Sequence, residues 1–297
     1  MLALAGAAVL VAVAPGTGSA SQLIDRNARN VRLAVSPNSA ALLTYQAGGK
    51  NRRVLVWGAV NARPPSPTRP QIAFKVDYSG GASARGRHIA RRLRTSCRPY
   101  DGPALQWLIT ACRAPDGSYW AVQSWQRALP YYGLAPSAKQ AAYELRLSHW
   151  KGQLPSLTIE TDWAYGGRFD HLYGSFSYLG KPVHGFRATR FGIPLDTYGR
   201  NLYVDTFNSS YGPGWRRENS FLTHRPSGIF CYGFYPHGKR PSGKGQAYRA
   251  TIVGPGVTPD ISWQGPAPGP YEYEPGRDRA RNAEQAQVGS GSTCRVN

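Results

Sequence analysis

Apolar and polar positions alternate along much of this chain. Leu43 and Tyr45 lead through Gly48-Gly49 to Val54 and Val56, a period-2 pattern broken by two glycines, which predicts a β-hairpin. Phe74, Val76 and Tyr78 alternate next. Tyr143, Leu145, Leu147 and His149 share one predicted strand face, and Glu144, Arg146 and Ser148 share the other. Leu157, Ile159, Thr161 and Trp163 repeat the pattern against Thr158, Glu160 and Asp162. Phe176 and Tyr178 turn at Leu179-Gly180 into Val183, and further strands are expected at 202–207, 220–223, 229–234, 248–253 and 261–263. With 34 Gly and 24 Pro in 297 residues, turns are frequent and long helices are disfavoured. The predicted fold class is mainly β: an antiparallel β-sandwich or jelly-roll-like arrangement with one or two short helices.

Two segments carry the helical period or no period at all. Ile89 and Leu93, four apart in the basic stretch Arg85 to Arg98, predict a short amphipathic helix with Arg87, Arg91 and Arg94 on one face. Arg277 to Val288 is polar nearly all round and reads as a frayed helix or a disordered tail. The Pro-, Tyr- and Gly-containing stretch from Leu129 to Pro136 is the expected boundary. It separates an N-terminal β-rich part (21–130) from a main antiparallel part (139–263), with a polar tail (264–297) beyond.

The first twenty residues change how the rest is read. Leu2 to Ala14 is uncharged, Pro15-Gly16 breaks the run, and Gly18-Ser19-Ala20 supplies small side chains, so 1–20 is expected to be a signal peptide cut after Ala20. The run is too short to span a bilayer core, which takes about 20 apolar residues. No Lys or Arg precedes it, so the true start of the signal is left open. The expected location is secreted, extracellular or associated with the cell envelope. In that compartment Cys97, Cys112, Cys231 and Cys294 form an even set, and disulfides are the default. Three pairings are possible, and the local one, Cys97–Cys112 with Cys231–Cys294, is favoured. Under a chain-entropy model these loops contribute roughly 3 and roughly 4 kcal/mol.

Thirty-six basic against 16 acidic residues give a net charge of +20, and 29 of the 36 are Arg. Such a field attracts anionic surfaces, and the guanidinium fork suits carboxylates and phosphates. A GC-rich genome produces the same composition without selection for binding, so the charge does not name a ligand. Expected partners are an anionic or neutral glycan or a cell-envelope polymer, with peripheral membrane contact possible; nucleic acid is disfavoured.

Candidate chemistry is sparse. Glu160 and Asp162 leave one strand face about 7 Å apart, a separation compatible with paired acid–base work on a glycosidic bond. The segment Glu160-Thr161-Asp162 resembles the Glu-x-Asp opening of a jelly-roll glucanase motif, whose closing acid would fall where Ala164 and Tyr165 stand. Glu218 or Asp205 are the further acids such an enzyme would draw on. The thiol motif of L,D-transpeptidases is excluded at Cys231, which has no His two residues before it. The six His residues show no metal-ligand spacing, so no metal and no cofactor are expected. The segment from Tyr211 to Asn219 is the most binding-like loop: Tyr211 and Trp215 would stack a ligand while Arg216, Arg217 and Glu218 orient it. Six Tyr-Gly pairs, five of them between 165 and 233, fit either glycine-backed packing or flat sugar platforms, the former favoured. Taken whole, the chain is similar to exported proteins of GC-rich bacteria that carry no assigned activity. The expected function is a non-enzymatic envelope or glycan-binding protein. The alternatives are a glycan-cleaving hydrolase and a basic structural envelope protein.

Overall fold

In the computed structural model the described residues are 21–63, 72–83, 87–91, 93–128, 141–164, 166–167, 169–182, 187–188, 194–195, 202–209, 212–217, 221–224, 229–234, 245–280 and 283. Strands dominate them, all paired antiparallel, with two short helices. The first half contains β1 (Gln22–Arg26), β2 (Arg29–Val35), β3 (Ala41–Ala47), β4 (Lys50–Trp57) and β5 (Lys75–Asp77). It continues through the helix α1 (Arg87–Arg91) to β6 (Arg98–Pro99), β7 (Leu108–Arg113), β8 (Tyr119–Ala128) and β9 (Ala141–Trp150). These strands make two sheets, β2-β3-β4-β5 and β1-β9-β8-β7-β6. At the β3–β4 turn Gly48 and Gly49 both have positive φ, 57° and 72°, the mirror-image turn conformation that glycine adopts without a Cβ penalty. Ala41, Leu43, Tyr45 and Ala47 all point inward and meet Trp120, Val122, Leu145 and Leu147 of the facing sheet. The sandwich follows from that alternation.

The second half contains β10 (Ser156–Ala164), β11 (Phe169–Tyr178), β12 (Lys181–Pro182), β13 (Arg187–Ala188) and β14 (Pro194–Leu195). Next come β15 (Leu202–Ser209), β16 (Gly212–Arg217), β17 (Phe221–His224), β18 (Ile229–Phe234), β19 (Ala247–Ile252) and β20 (Ile261–Pro266). Two further sheets result, β10-β11-β18-β17 and β16-β15-β19-β20; β12 pairs with β11, and β13 and β14 form a separate pair. Leu172, Phe176 and Tyr178 of one sheet pack with Val204, Tyr248, Ala250 and Ile252 of the other. Leu157 and Ile159 add to this core, as their alternation predicts. Inside it the Tyr248 hydroxyl donates to Asp170 at 2.6 Å, which satisfies a buried carboxylate. Gly174, of the Tyr173-Gly174 pair, lies where a Cβ would overlap the Thr158 carbonyl oxygen, so this glycine is required by strand packing.

Several expectations are corrected. The boundary expected at 129–136 falls between β8 and β9, which pair from Tyr119↔Trp150 to Ala128↔Ala141. Strand 141–150 therefore belongs to the sheet built from the first part, and sheet membership changes only after Trp150. The helix expected over 85–98 is confined, among the described residues, to Arg87–Arg91, and Arg94 lies past its end. Tyr78 is 58% exposed because β5 stops at Asp77, whose carboxylate accepts the Ser79 amide at 2.9 Å and turns the chain. In the tail, residues 275–280 are helical. Cys97 and Cys112 are bonded, with Cα atoms 5.5 Å apart. The backbone of Cys231 sits on β18 opposite Tyr173, while its side chain and Cys294 lie outside the described residues. Among the described residues no helix is long and apolar enough to cross a membrane.

The two halves interlock. Ala62 packs into the second core and Val257 into the first. Residues 251–260 are buried throughout, and the Val257 carbonyl accepts the His149 amide at 2.8 Å. Trp125, Tyr203 and Val253, with Trp107 beside them, form a third small cluster between the halves.

Candidate functional site

Alternation on β15 and β19 builds the most chemically distinctive surface. Val204 of β15 and Tyr248, Ala250 and Ile252 of β19 face the second core, so Tyr203, Asp205, Phe207 and Arg249 leave from the outer face. Asp205 and Arg249 are direct cross-strand partners, and two guanidinium nitrogens, Nε and Nη2, donate to Asp205 Oδ2 at 3.2 and 3.1 Å. On the other side of β15, Phe207 pairs in register with Trp215 of β16, ring centroids 5.1 Å apart.

The result is an arginine held between two indoles. The Arg249 guanidinium lies 4.5 Å from the Trp215 ring centroid and 5.4 Å from that of Trp107. The carboxylate fixes its plane and the aromatic faces favour its charge. Its side chain is 15% exposed, and among the described residues Nη1 has no hydrogen-bond acceptor. A half-buried aromatic surface thus presents one oriented donor group that has no acceptor among the described residues.

Trp215 takes part in this arrangement, but as a strand residue. The segment expected as a loop forms β16 over Gly212–Arg217, because Asn208 adopts φ 49° and its side chain accepts the Gly214 amide at 2.8 Å. That contact returns the chain along β15, and the register is fixed by Phe207↔Trp215. Arg216 leaves from the opposite face by alternation, so it does not join Trp215. The Arg217 backbone pairs with Asp205; its side chain, like Tyr211 and Glu218, lies outside the described residues.

Glu160 and Asp162 do share one face of β10, turned away from Leu157 and Ile159. Glu160 is exposed and accepts the Tyr173 hydroxyl at 3.0 Å; Asp162 Oδ1 accepts the Trp163 amide at 2.7 Å. Their sheet and the β15–β19 sheet pack on a common core, so the outer faces of the two sheets point in opposite directions. Glu160 and Asp162 therefore do not converge with Asp205 or Trp215 on one cleft. Among the described residues there is no cluster of three or more groups suited to a metal ion.

Trp107, Phe207 and Arg249 escaped sequence reasoning. The outward parity of Arg249 against Tyr248 and Ala250 was the available signal. Trp107 had none, since it stands in a left-handed turn at φ 53° and arrives from a different sheet. Compared with known proteins, the chain matches no protein-family model, no curated protein and no solved structure.

Proposed function

We propose that this is an exported, non-enzymatic β protein that binds glycan or envelope polymer on the outer face of the β16-β15-β19-β20 sheet. The observation that carries this reading is Arg249 fixed between Trp107 and Trp215 by Asp205. Indole faces stack on the C–H faces of sugar rings. Nη1 of Arg249, which has no acceptor among the described residues, suits a carboxylate, phosphate or hydroxyl on the same polymer. The net charge of +20 raises the local concentration of acidic polymers and quickens encounter.

The test is retention on immobilised acidic and neutral wall glycans at low and high salt. Trp215→Ala and Arg249→Met are expected to lose retention while Glu160→Gln keeps it. Retention that depends on salt but ignores both substitutions would instead support a protein acting by charge alone. No retention of the wild type at low salt would remove the proposal.

A further inference from the structure

Ser21, the residue that follows the expected cut after Ala20, has no exposed surface. Its hydroxyl donates to Asp260 Oδ1, and its carbonyl accepts Arg146 Nη1 at 3.1 Å. Asp260 is itself 1% exposed; Oδ2 accepts the Trp125 indole N–H at 2.8 Å. The polar face of β9 closes the cluster, with Glu144 and Arg146 both buried. Arg146 directs Nη2 and Nε at Glu144 Oε2, at 2.6 and 3.2 Å, and leaves Asp260 a longer contact of 3.8 Å.

Asp260 is therefore a buried carboxylate whose nearest cation among the described residues is aimed elsewhere. Burial raises the affinity of its carboxyl for a proton despite Arg146, Ser21 and Trp125, which pull the other way. Burial works against the charge of Arg146 as well, but Asp260 and Glu144 outweigh it and keep the guanidinium protonated. A buried carboxylate that receives no hydrogen bond from a cation among the described residues is costly, and a well-placed ammonium offsets that cost.

We infer that the α-ammonium of Ser21, released when the leader is removed, hydrogen-bonds Asp260 beside the existing Arg146–Asp260 contact at 3.8 Å and the Arg26–Glu144 pair at 3.4 Å, and that cleavage is a maturation step which completes this buried cluster. The inference depends on the export reading above. A leader peptidase adds water across the Ala20–Ser21 bond: the Ala20 carboxylate departs with the leader, and the Ser21 nitrogen takes up protons. An α-amine is mostly protonated at neutral pH. It stands on the α-carbon, one bond from the β-carbon whose hydroxyl already touches Asp260. Because Ser21 is buried in the fold, the cut precedes folding, as it does when a leader is removed during export. Before it, the same nitrogen is an amide and carries no charge.

The test uses the full chain with a site-specific protease sequence inserted between Ala20 and Ser21. It is unfolded in urea, cut to leave Ser21 first or left uncut, and refolded. The cut chain is expected to fold with an equilibrium constant roughly a hundredfold larger, the scale of completing a buried ion pair. In the folded cut chain an amine-acylating reagent should label Ser21 at least about tenfold more slowly than in urea, read by mass of the N-terminal peptide. Asp260→Asn should abolish the difference between cut and uncut chains. Equal stability of the two, or equal labelling in folded and unfolded states, overturns the insertion. Natural exported material that begins elsewhere than Ser21 overturns the processing step. Glycan retention of the same cut chain is read separately, so failure of the binding proposal is told apart from failure of this one.

Discussion

His149 offers a direct measurement of how burial controls charge in this fold. The ring is 4% exposed and stacks on Trp120 at a centroid distance of 3.9 Å. Nδ1 faces the Ala59 carbonyl at 2.5 Å, which only accepts, so Nδ1 is the donor. Nε2 lies 2.8 Å from the Ser118 hydroxyl, whose single proton also serves Asp116 Oδ1 at 2.6 Å. Burial lowers the imidazole from 6.5 to about 4, against weaker upward pulls from Ala59 and Asp116. An unfolded chain protonates this residue first. The stabilising difference is thus fully present above pH 6.5 and is lost as pH falls through the folded value. At about 1.4 kcal/mol per unit the loss across that window is ~3 kcal/mol. Asp77, Asp101 and Asp116 have lowered carboxyl values and also lose stability on acidification, so the wild-type profile alone does not isolate the histidine. Urea unfolding at about pH 7, about 5.5 and about 4 should be compared between wild type and His149→Gln, which cannot titrate. The wild type should lose ~3 kcal/mol more than the variant over that range. Parallel profiles, or an imidazole seen by NMR to titrate near 6.5, would refute the reasoning.

Gly174→Ala would place a Cβ against the Thr158 carbonyl, 2.9 Å from its carbon and 3.1 Å from Ile159 Cα, so strand backbone must move. It should cost ~3 kcal/mol, the upper end of overpacking, and an unchanged urea midpoint would contradict the β10–β11 register. Replacing Cys97 and Cys112 together by Ser should lower stability by roughly 3 kcal/mol for a separation of 15 residues, read by unfolding under oxidising conditions. Tyr248→Phe removes the buried hydroxyl bond to Asp170 and should cost about 1–3 kcal/mol while leaving glycan retention intact. Lost retention at native stability would show that the second core and the aromatic face are coupled.

The elements were legible where their cause is local. Gly48-Gly49 between alternating strands could only be a tight hairpin, and Leu157 and Ile159 point inward as their spacing requires. The pairing of Cys97 with Cys112 followed from chain proximity. Strands with weaker alternation, such as β1 and β16, were missed. The second was hidden by Gly212-Pro213-Gly214, which reads as a turn until the Asn208 side chain caps it.

What covers a face is a different kind of information. Sequence placed Glu144, Arg146 and Ser148 together on one side of β9, and alternation alone does not say what covers that side. The fold buries all three, because Ser21 and Asp260 arrive there from 125 residues before Arg146 and from the far connection between β19 and β20. Arg249 likewise became part of a surface only when Trp107 reached it from another sheet. Period-2 alternation is set by backbone geometry within a few residues, so the sequence alone determined which side chains share a face. Only the tertiary structure decided whether that face meets water, a carboxylate or an indole, since the covering atoms come from distant parts of the chain.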